Sequence, residues 1–144
     1  MKLIIRSLAY ILIVVLLIQC EKDEPVIKID IADTIFLNAL IERGIDTNGD
    51  GIISTIEAEA VNFLDLFGCD ISDMTGIEKF VNLDTLNCEE NNLTSLNITG
   101  NSKLRILYCR NNPLEELDVS GISSLFMLNC DYCQLNSRSL RSQS

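Results

Sequence analysis

The chain has no histidine and no tryptophan among its 144 residues. Without histidine it cannot build a Ser–His–Asp triad, a histidine general base or an imidazole metal site. Basic residues are scarce: 11 Lys and Arg stand against 21 Asp and Glu, for a formal charge of −10. Nucleic-acid binding needs a positive face, so this balance argues against a nucleic-acid partner. The apolar stretch from Leu8 to Ile18 is too short to cross a bilayer, which takes ~20 such residues. Paired acids are the only candidates for acid–base chemistry, at Glu89-Glu90 and Glu115-Glu116. Adjacent acids on a strand or turn are ordinarily a solvated surface, so the expectation is that the chain is not an enzyme.

What is present begins with an export pattern. Lys2 and Arg6 precede the apolar stretch, which ends Leu17-Ile18-Gln19-Cys20. Its length suits the h-region of a signal peptide. The ending resembles a bacterial lipobox, with Gln19 where Gly or Ala is usual. That resemblance implies cleavage after residue 19 and a lipid on Cys20, which would hold the protein at a membrane without a spanning helix. An uncleaved N-terminal anchor is the alternative. Glu21-Lys22-Asp23-Glu24-Pro25 looks like the acidic tether of surface-exported lipoproteins of Bacteroidetes-type bacteria, and otherwise is a charged linker. Residues 1–19 are thus assigned to a signal peptide and 20–32 to the lipidated cysteine and tether.

Residues 33–60 read as a helix–loop–helix. Asp33 is placed to cap a helix starting near Thr34, with Phe36, Leu37, Leu40 and Ile41 as its buried stripe. The loop runs Asp46-Thr-Asn-Gly-Asp-Gly-Ile-Ile-Ser-Thr-Ile-Glu57. Asp46, Asn48, Asp50 and Ser54 supply side-chain oxygens at positions one, three, five and nine. Ile52 offers a carbonyl at position seven, Glu57 two oxygens at position twelve, and Gly51 fills the sharp turn. This is the EF-hand pattern, and it predicts calcium on Asp46, Asn48, Asp50, Ile52, Ser54 and Glu57. A surface turn that binds nothing is the plain alternative. No second hand exists for Ile53, at position eight, to pair with, so a sensor that opens a groove is poorly supported. The helix leaving the loop leads into Val61 and Leu64, and calcium is expected to act as a staple between this cap and the remainder of the chain.

Residues 61–144 carry a repeat. Leu83, Leu104 and Leu125 are 21 residues apart, as are Leu86, Leu107 and Leu128; Cys88, Cys109 and Cys130; and Leu93, Leu114 and Leu135. An earlier copy, Val61 to Ile71, is offset by 22. All four copies fit the leucine-rich repeat pattern L-x-x-L-x-L-x-x-N/C-x-L. The fold class predicted for the chain is therefore α/β repeat: a short leucine-rich repeat solenoid over residues 61–144, with parallel strands and an N-terminal EF-hand-like cap. Each unit contributes a short strand, and stacked units share one core. Extended or 3₁₀ segments are expected on the convex side. At the C-terminal end the period puts Arg138 in the column of Leu96 and Leu117.

The register accounts for every cysteine but Cys20. Cys88, Cys109 and Cys130 take an inward strand slot. Cys69 and Cys133 take the Asn column, with Asn91 and Asn112 between. This explains Cys130-x-x-Cys133 better than a redox or metal motif does. The same register exposes Phe63, Asp65, Phe67, Thr85, Asn87, Glu89, Glu90, Ile106, Tyr108, Arg110, Asn111, Met127, Asn129, Asp131 and Tyr132 on the concave face, unless Phe63 and Phe67 pack under the cap. Tyr108, Arg110 and Tyr132 are the candidate partner-binding residues.

Together these pieces resemble a family of surface leucine-rich repeat lipoproteins of Bacteroidetes-type bacteria, with phrases such as Leu114-Glu-Glu-Leu-Asp-Val-Ser-Gly121. They are more distantly similar to the internalin architecture. The resemblance implies a non-catalytic module in the bacterial envelope, on an outer-membrane lipoprotein facing outward, that recognises an extracellular protein or glycan. The alternative is a calcium-responsive regulator whose loop switches partner binding.

Overall fold

The computed structural model describes residues 26–136 and 140–141. The signal segment, Cys20 and Arg138 lie outside the described residues. Helix α1 spans Thr34–Glu42 and α2 spans Thr55–Glu59. Strands β1 (Phe63–Asp65), β2 (Thr85–Asn87), β3 (Ile106–Tyr108) and β5 (Met127–Asn129) form one parallel sheet in the order β1-β2-β3-β5. On the convex side a 3₁₀ turn at Ile77–Lys79 and a two-stranded sheet of β4 (Leu117–Asp118) with β6 (Leu140–Arg141) complete the stack. The expected solenoid and its short convex segments are both present.

Pairing follows the repeat period. Leu64 lies beside Leu86, Leu86 beside Leu107 and Leu107 beside Leu128. The first three of these leucines are buried, as are Leu66, Cys88 and Cys109 in the next inward column. No unit could bury these side chains alone, so the core exists only through stacking. Asn91 and Asn112 stitch the units together. Asn112 Nδ2 donates to the carbonyls of Cys88 at 2.8 Å and Cys109 at 3.1 Å, while its Oδ1 accepts from Leu93 N–H at 3.0 Å. Asn91 does the same one unit earlier, with Leu66, Cys88 and Ile71. Cys133 continues the column as a thiol donor to the Cys109 carbonyl, at 3.3 Å.

The longer first unit has a local cause. Met74 and Ile77 are separated by two residues where the equivalent Leu96 and Ile98 are separated by one. The extra residue is absorbed at Gly76, whose φ of 106° is a conformation side-chain-bearing residues avoid. A Cβ there would also meet Ile29 Cγ2 at 2.9 Å and Ile31 Cγ1 at 3.0 Å, because the chain before α1 crosses this turn.

Three expectations need correction. The tether does not run to residue 32: Ile29 is buried, and residues 27–29 pair with the loop through Ile29 N–H to the Ile53 carbonyl and Thr55 N–H to the Ile27 carbonyl, both 2.9 Å. Position eight of the loop therefore finds its strand partner in this segment and not in a second hand. Opposite Leu117, where the period puts Arg138, Leu140 pairs instead. A two-residue shift preserves the in–out alternation and sets an apolar side chain beside Leu117. Finally, Phe63 and Phe67 do not pack under the cap: they are 62% and 49% exposed.

Candidate functional site

One carboxylate both caps α1 and ties the cap to the first repeat. Asp33 Oδ1 accepts from Ile35 N–H at 2.7 Å and Phe36 N–H at 3.2 Å, which is the expected N-cap. Its Oδ2 reaches across to Ser72 N–H, Ser72 Oγ and Asp73 N–H, each at 3.0 Å. Partial burial pushes the Asp33 carboxyl up, but donation from Ser72, Asp73, Phe36 and Ile35 outweighs it and holds the group at about 2. Arg43, just past the end of α1, donates to the Asp65 carbonyl and to Cys69 Sγ, closing the edge of β1.

Within the loop, Asp46, Asn48 and Asp50 come together in one hydrogen-bonded turn. Asp46 accepts from Gly49 N–H at 2.7 Å and Gly51 N–H at 2.9 Å, Asn48 Oδ1 accepts from Asp50 N–H at 2.9 Å, and Asp50 Oδ1 accepts from Ile52 N–H at 3.0 Å. Gly49 and Gly51 both have positive φ, at 74° and 79°, as the tight turn requires. Ser54 and Glu57 form a second group. Ser54 caps α2, and Glu57 closes a capping box, its Oε2 accepting from Ser54 N–H at 2.9 Å and Ser54 Oγ at 2.8 Å. Its Oε1 accepts from Thr47 N–H at 2.8 Å and Thr47 Oγ1 at 2.9 Å, drawing the loop's start and end together. These donors, the Ser54 backbone first, hold the buried Glu57 carboxyl at about 2 despite desolvation.

The donor set is all oxygen, the kind a hard cation takes. Among the described residues no three Asp, Glu or Cys side chains form a group able to hold a metal ion by themselves. A cation here would depend on the neutral donors Asn48, Ile52 and Ser54 as well. It would also draw Glu57 from the hydroxyls of Thr47 and Ser54, which can rotate, while the two backbone bonds keep the carboxylate at the mouth of the loop.

On the concave face, Tyr108 and Arg110 are half-buried and Tyr132 is 77% exposed. The Arg110 guanidinium lies 5.2 Å from the Tyr132 ring centroid, a cation–π contact, and Tyr108 Oη lies 3.2 Å from Met127 Sδ. Tyr132 holds φ +57°. The same column is left-handed at Gly68, Glu90 and Asn111, so the repeat imposes the conformation. A bulky aromatic in this slot is strained, since Gly or Asn suits it better. On the convex side Glu115 and Glu116 are exposed, as a solvated acidic pair would be, and Glu116 lines a depression of about 270 Å³ with Ser95, Asn97, Asp118 and Arg141.

No family model matches the sequence, and no curated protein matches it. Among solved structures, an internalin (inlF) from Listeria monocytogenes superposes with a TM-score of 0.62, over 73% of this chain and 32% of that one, at 22% identity. The fold is an internalin-like leucine-rich repeat. The functional domain of InlJ from Listeria monocytogenes, described as including a cysteine ladder, is 34% identical over 58% of this chain and 23% of its own, with a TM-score of 0.46. A Clostridium perfringens ZmpB structure, containing CBM51-2 in complex with GlcNAc and INT domains, is 28% identical over 58% of this chain and 18% of its own, with a TM-score of 0.49. The chain spans a third or less of the length of each.

In this internalin-like fold the inward cysteines are structural in setting. Burial, with the neighbouring Cys133 and Glu89, pushes the Cys88 thiol up to about 12, and burial likewise raises Cys109, with Cys88, Cys133 and Cys130 adding to it. Neither thiol is poised as a nucleophile. Sequence reading missed the double role of Asp33 and the antiparallel β-bridge that residues 27–29 make to the loop. The alternation Ile27-Lys28-Ile29-Asp30-Ile31 carried that strand signal.

Proposed function

We propose that this chain is the recognition module of an extracytoplasmic, lipid-anchored bacterial protein, and that its concave face binds an extracellular protein or glycan. The observation that carries the reading is the Arg110–Tyr132 stack: an aromatic ring 77% exposed, held in a left-handed backbone, with a guanidinium against it. Exposed Tyr and Arg on a rigid sheet are the usual anchors of a recognition surface, and strained exposed residues concentrate at functional sites. Phe63, Tyr108 and Met127 extend the surface along the neighbouring strands. The internalin-like fold supports a binding role over a catalytic one.

The lipid on Cys20 and the outer-membrane location rest on the sequence of residues 1–25. Calcium on Asp46, Asn48, Asp50, Ile52, Ser54 and Glu57 is part of the same proposal. It acts as a staple: the loop pairs with residues 27–29, and its exit helix leads straight into the first repeat. A calcium-switched regulator is the second reading. The experiment is to screen the full chain, in detergent, against extracellular proteins and glycans with calcium and with chelator, while following thermal unfolding. A stability gain from calcium with unchanged partner affinity supports the staple. Affinity that changes while the protein stays folded supports the switch. No calcium effect on either removes the ion, and no partner on the concave face removes the recognition role.

A further inference from the structure

The outward rows of the sheet carry a charge that the chain itself does not balance. Phe63, Thr85, Ile106 and Met127 follow one another across the strands, and so do Asp65, Asn87, Tyr108 and Asn129. The ladder runs on past the strand ends: Gly68, Glu90 and Asn111 N–H donate to the Glu89, Arg110 and Asp131 carbonyls, each at 3.0 Å. Glu89, Arg110 and Asp131 therefore share the next outward row, with Glu90 beside it. Four carboxylates, on Asp65, Glu89, Glu90 and Asp131, stand in these rows against one base, Arg110. Among the described residues none of the five makes an ion pair. Arg110 sets its guanidinium against the Tyr132 ring, and Arg43, at the edge, spends its three nitrogens on the Asp65 and Ala39 carbonyls and on Cys69 Sγ. The charge of Asp65 has no structural task either. Its Oδ1 accepts from Phe67 N–H, and in later units the neutral Asn87 and Asn129 accept from Glu89 and Asp131 N–H in the same way.

We propose that the partner of this face is a basic polypeptide segment, carrying Lys or Arg together with apolar side chains, and not a glycan. The proposal rests on the reading of the concave face as a recognition surface and names the chemistry of what it takes. The apolar row with exposed Phe63 and Met127 lies two rows from the acidic one, so a single segment laid across the strands meets both. Among the described residues no three acids converge as a metal site requires. The balancing charges therefore arrive spread out, as they do along a polypeptide. An acidic glycan would be repelled by these carboxylates, and a neutral one would leave them without counter-charges. Complementary charge also selects partners and speeds encounter, and the formal charge of −10 on the whole chain acts in the same direction.

The test is biolayer interferometry on the immobilised full chain, in non-ionic detergent below its micelle concentration, with two synthetic peptides of equal length: one of Lys and Leu, one of Glu and Leu. The Lys/Leu peptide should bind and the Glu/Leu peptide should not. Asp65→Asn/Glu89→Gln/Glu90→Gln should weaken the Lys/Leu complex at least ~10-fold, the combined effect of losing several partly exposed ion pairs. Glu59→Gln/Glu115→Gln/Glu116→Gln removes the same charge from exposed acids outside these rows and should leave the affinity unchanged. Both variants should melt like the parent. Equal weakening by the two would mean attraction to net charge alone and would overturn the proposal. So would a Lys/Leu peptide that fails to bind, or that binds no better than the Glu/Leu peptide. The recognition reading fails separately. A partner from the screen that loses affinity with Tyr108→Ala/Arg110→Ala/Tyr132→Ala but is unmoved by Asp65→Asn/Glu89→Gln/Glu90→Gln would keep the concave face as the site and overturn the basic partner.

Discussion

Replacing Asn112 by alanine should be among the most damaging single changes in the repeats. The side chain is 2% exposed and serves four partners: it accepts from Leu93 N–H and donates to the carbonyls of Cys88, Cys109 and Arg110. Alanine strands the buried Leu93 N–H with no acceptor, which costs ~1–3 kcal/mol, and each of the two shorter carbonyl bonds adds roughly 1 kcal/mol. The total is on the order of 3–5 kcal/mol, a large share of the ~5–15 kcal/mol that stabilises a typical domain. Asn112→Cys should be milder, because Cys133 shows that a thiol in this column still donates to the carbonyl one unit back. The control is Asn97→Ala, where an exposed side chain supports only a local turn with Thr99 and the loss should stay below ~1 kcal/mol. Urea unfolding followed by far-UV circular dichroism measures all three; a change in slope would mean that the units had uncoupled. The reasoning fails if Asn112→Ala loses less than ~1 kcal/mol, or if Asn112→Cys is as damaging as alanine.

Gly100→Ala should destabilise strongly, by ~2–4 kcal/mol, since a Cβ would sit 1.9 Å from the Glu78 carbonyl oxygen and neither backbone can yield cheaply; a melting curve decides it. The Asp33 and Glu57 carboxyls sit at about 2, against ordinary values of 3.8 and 4.5, so the folded state favours their ionised forms. Their stabilisation is complete above about pH 4.5 and lost as the pH falls toward 2; melting temperature against pH should show this loss, and Asp33→Asn with Glu57→Gln should flatten it. Native-state thiol labelling read by mass spectrometry should modify Cys69 well before Cys88 and Cys109, which are fully buried.

The repeat is legible because its information is periodic: six columns at one spacing fix strand, core and register together. The cap helix is legible from Asp33 and its apolar stripe, and the Asn column from its place in the repeat pattern. Contact between distant segments is what the sequence hides. The pairing of residues 27–29 with the loop, and the reach of Asp33 to Ser72, join parts of the chain with no shared pattern. At the last turn Leu140, two residues past the strict period, pairs with Leu117, and the period alone does not show that shift. The EF-hand pattern picks out oxygens that the fold divides between two hydrogen-bonded groups, Asp46, Asn48 and Asp50 in one and Ser54 and Glu57 in the other. The same Ser54-x-x-Glu57 spacing is also a capping box, and in the structure that use is the one made.

The most direct test of the recognition account is the affinity of a Tyr108→Ala/Arg110→Ala/Tyr132→Ala variant for a partner found in the screen, measured by biolayer interferometry beside a convex-face control, Glu115→Ala/Glu116→Ala. The account predicts a loss of at least ~30-fold, about 2 kcal/mol, for the concave variant and no change for the control, with both melting like the parent. Unchanged affinity in the concave variant, or equal loss in the convex control, would contradict it.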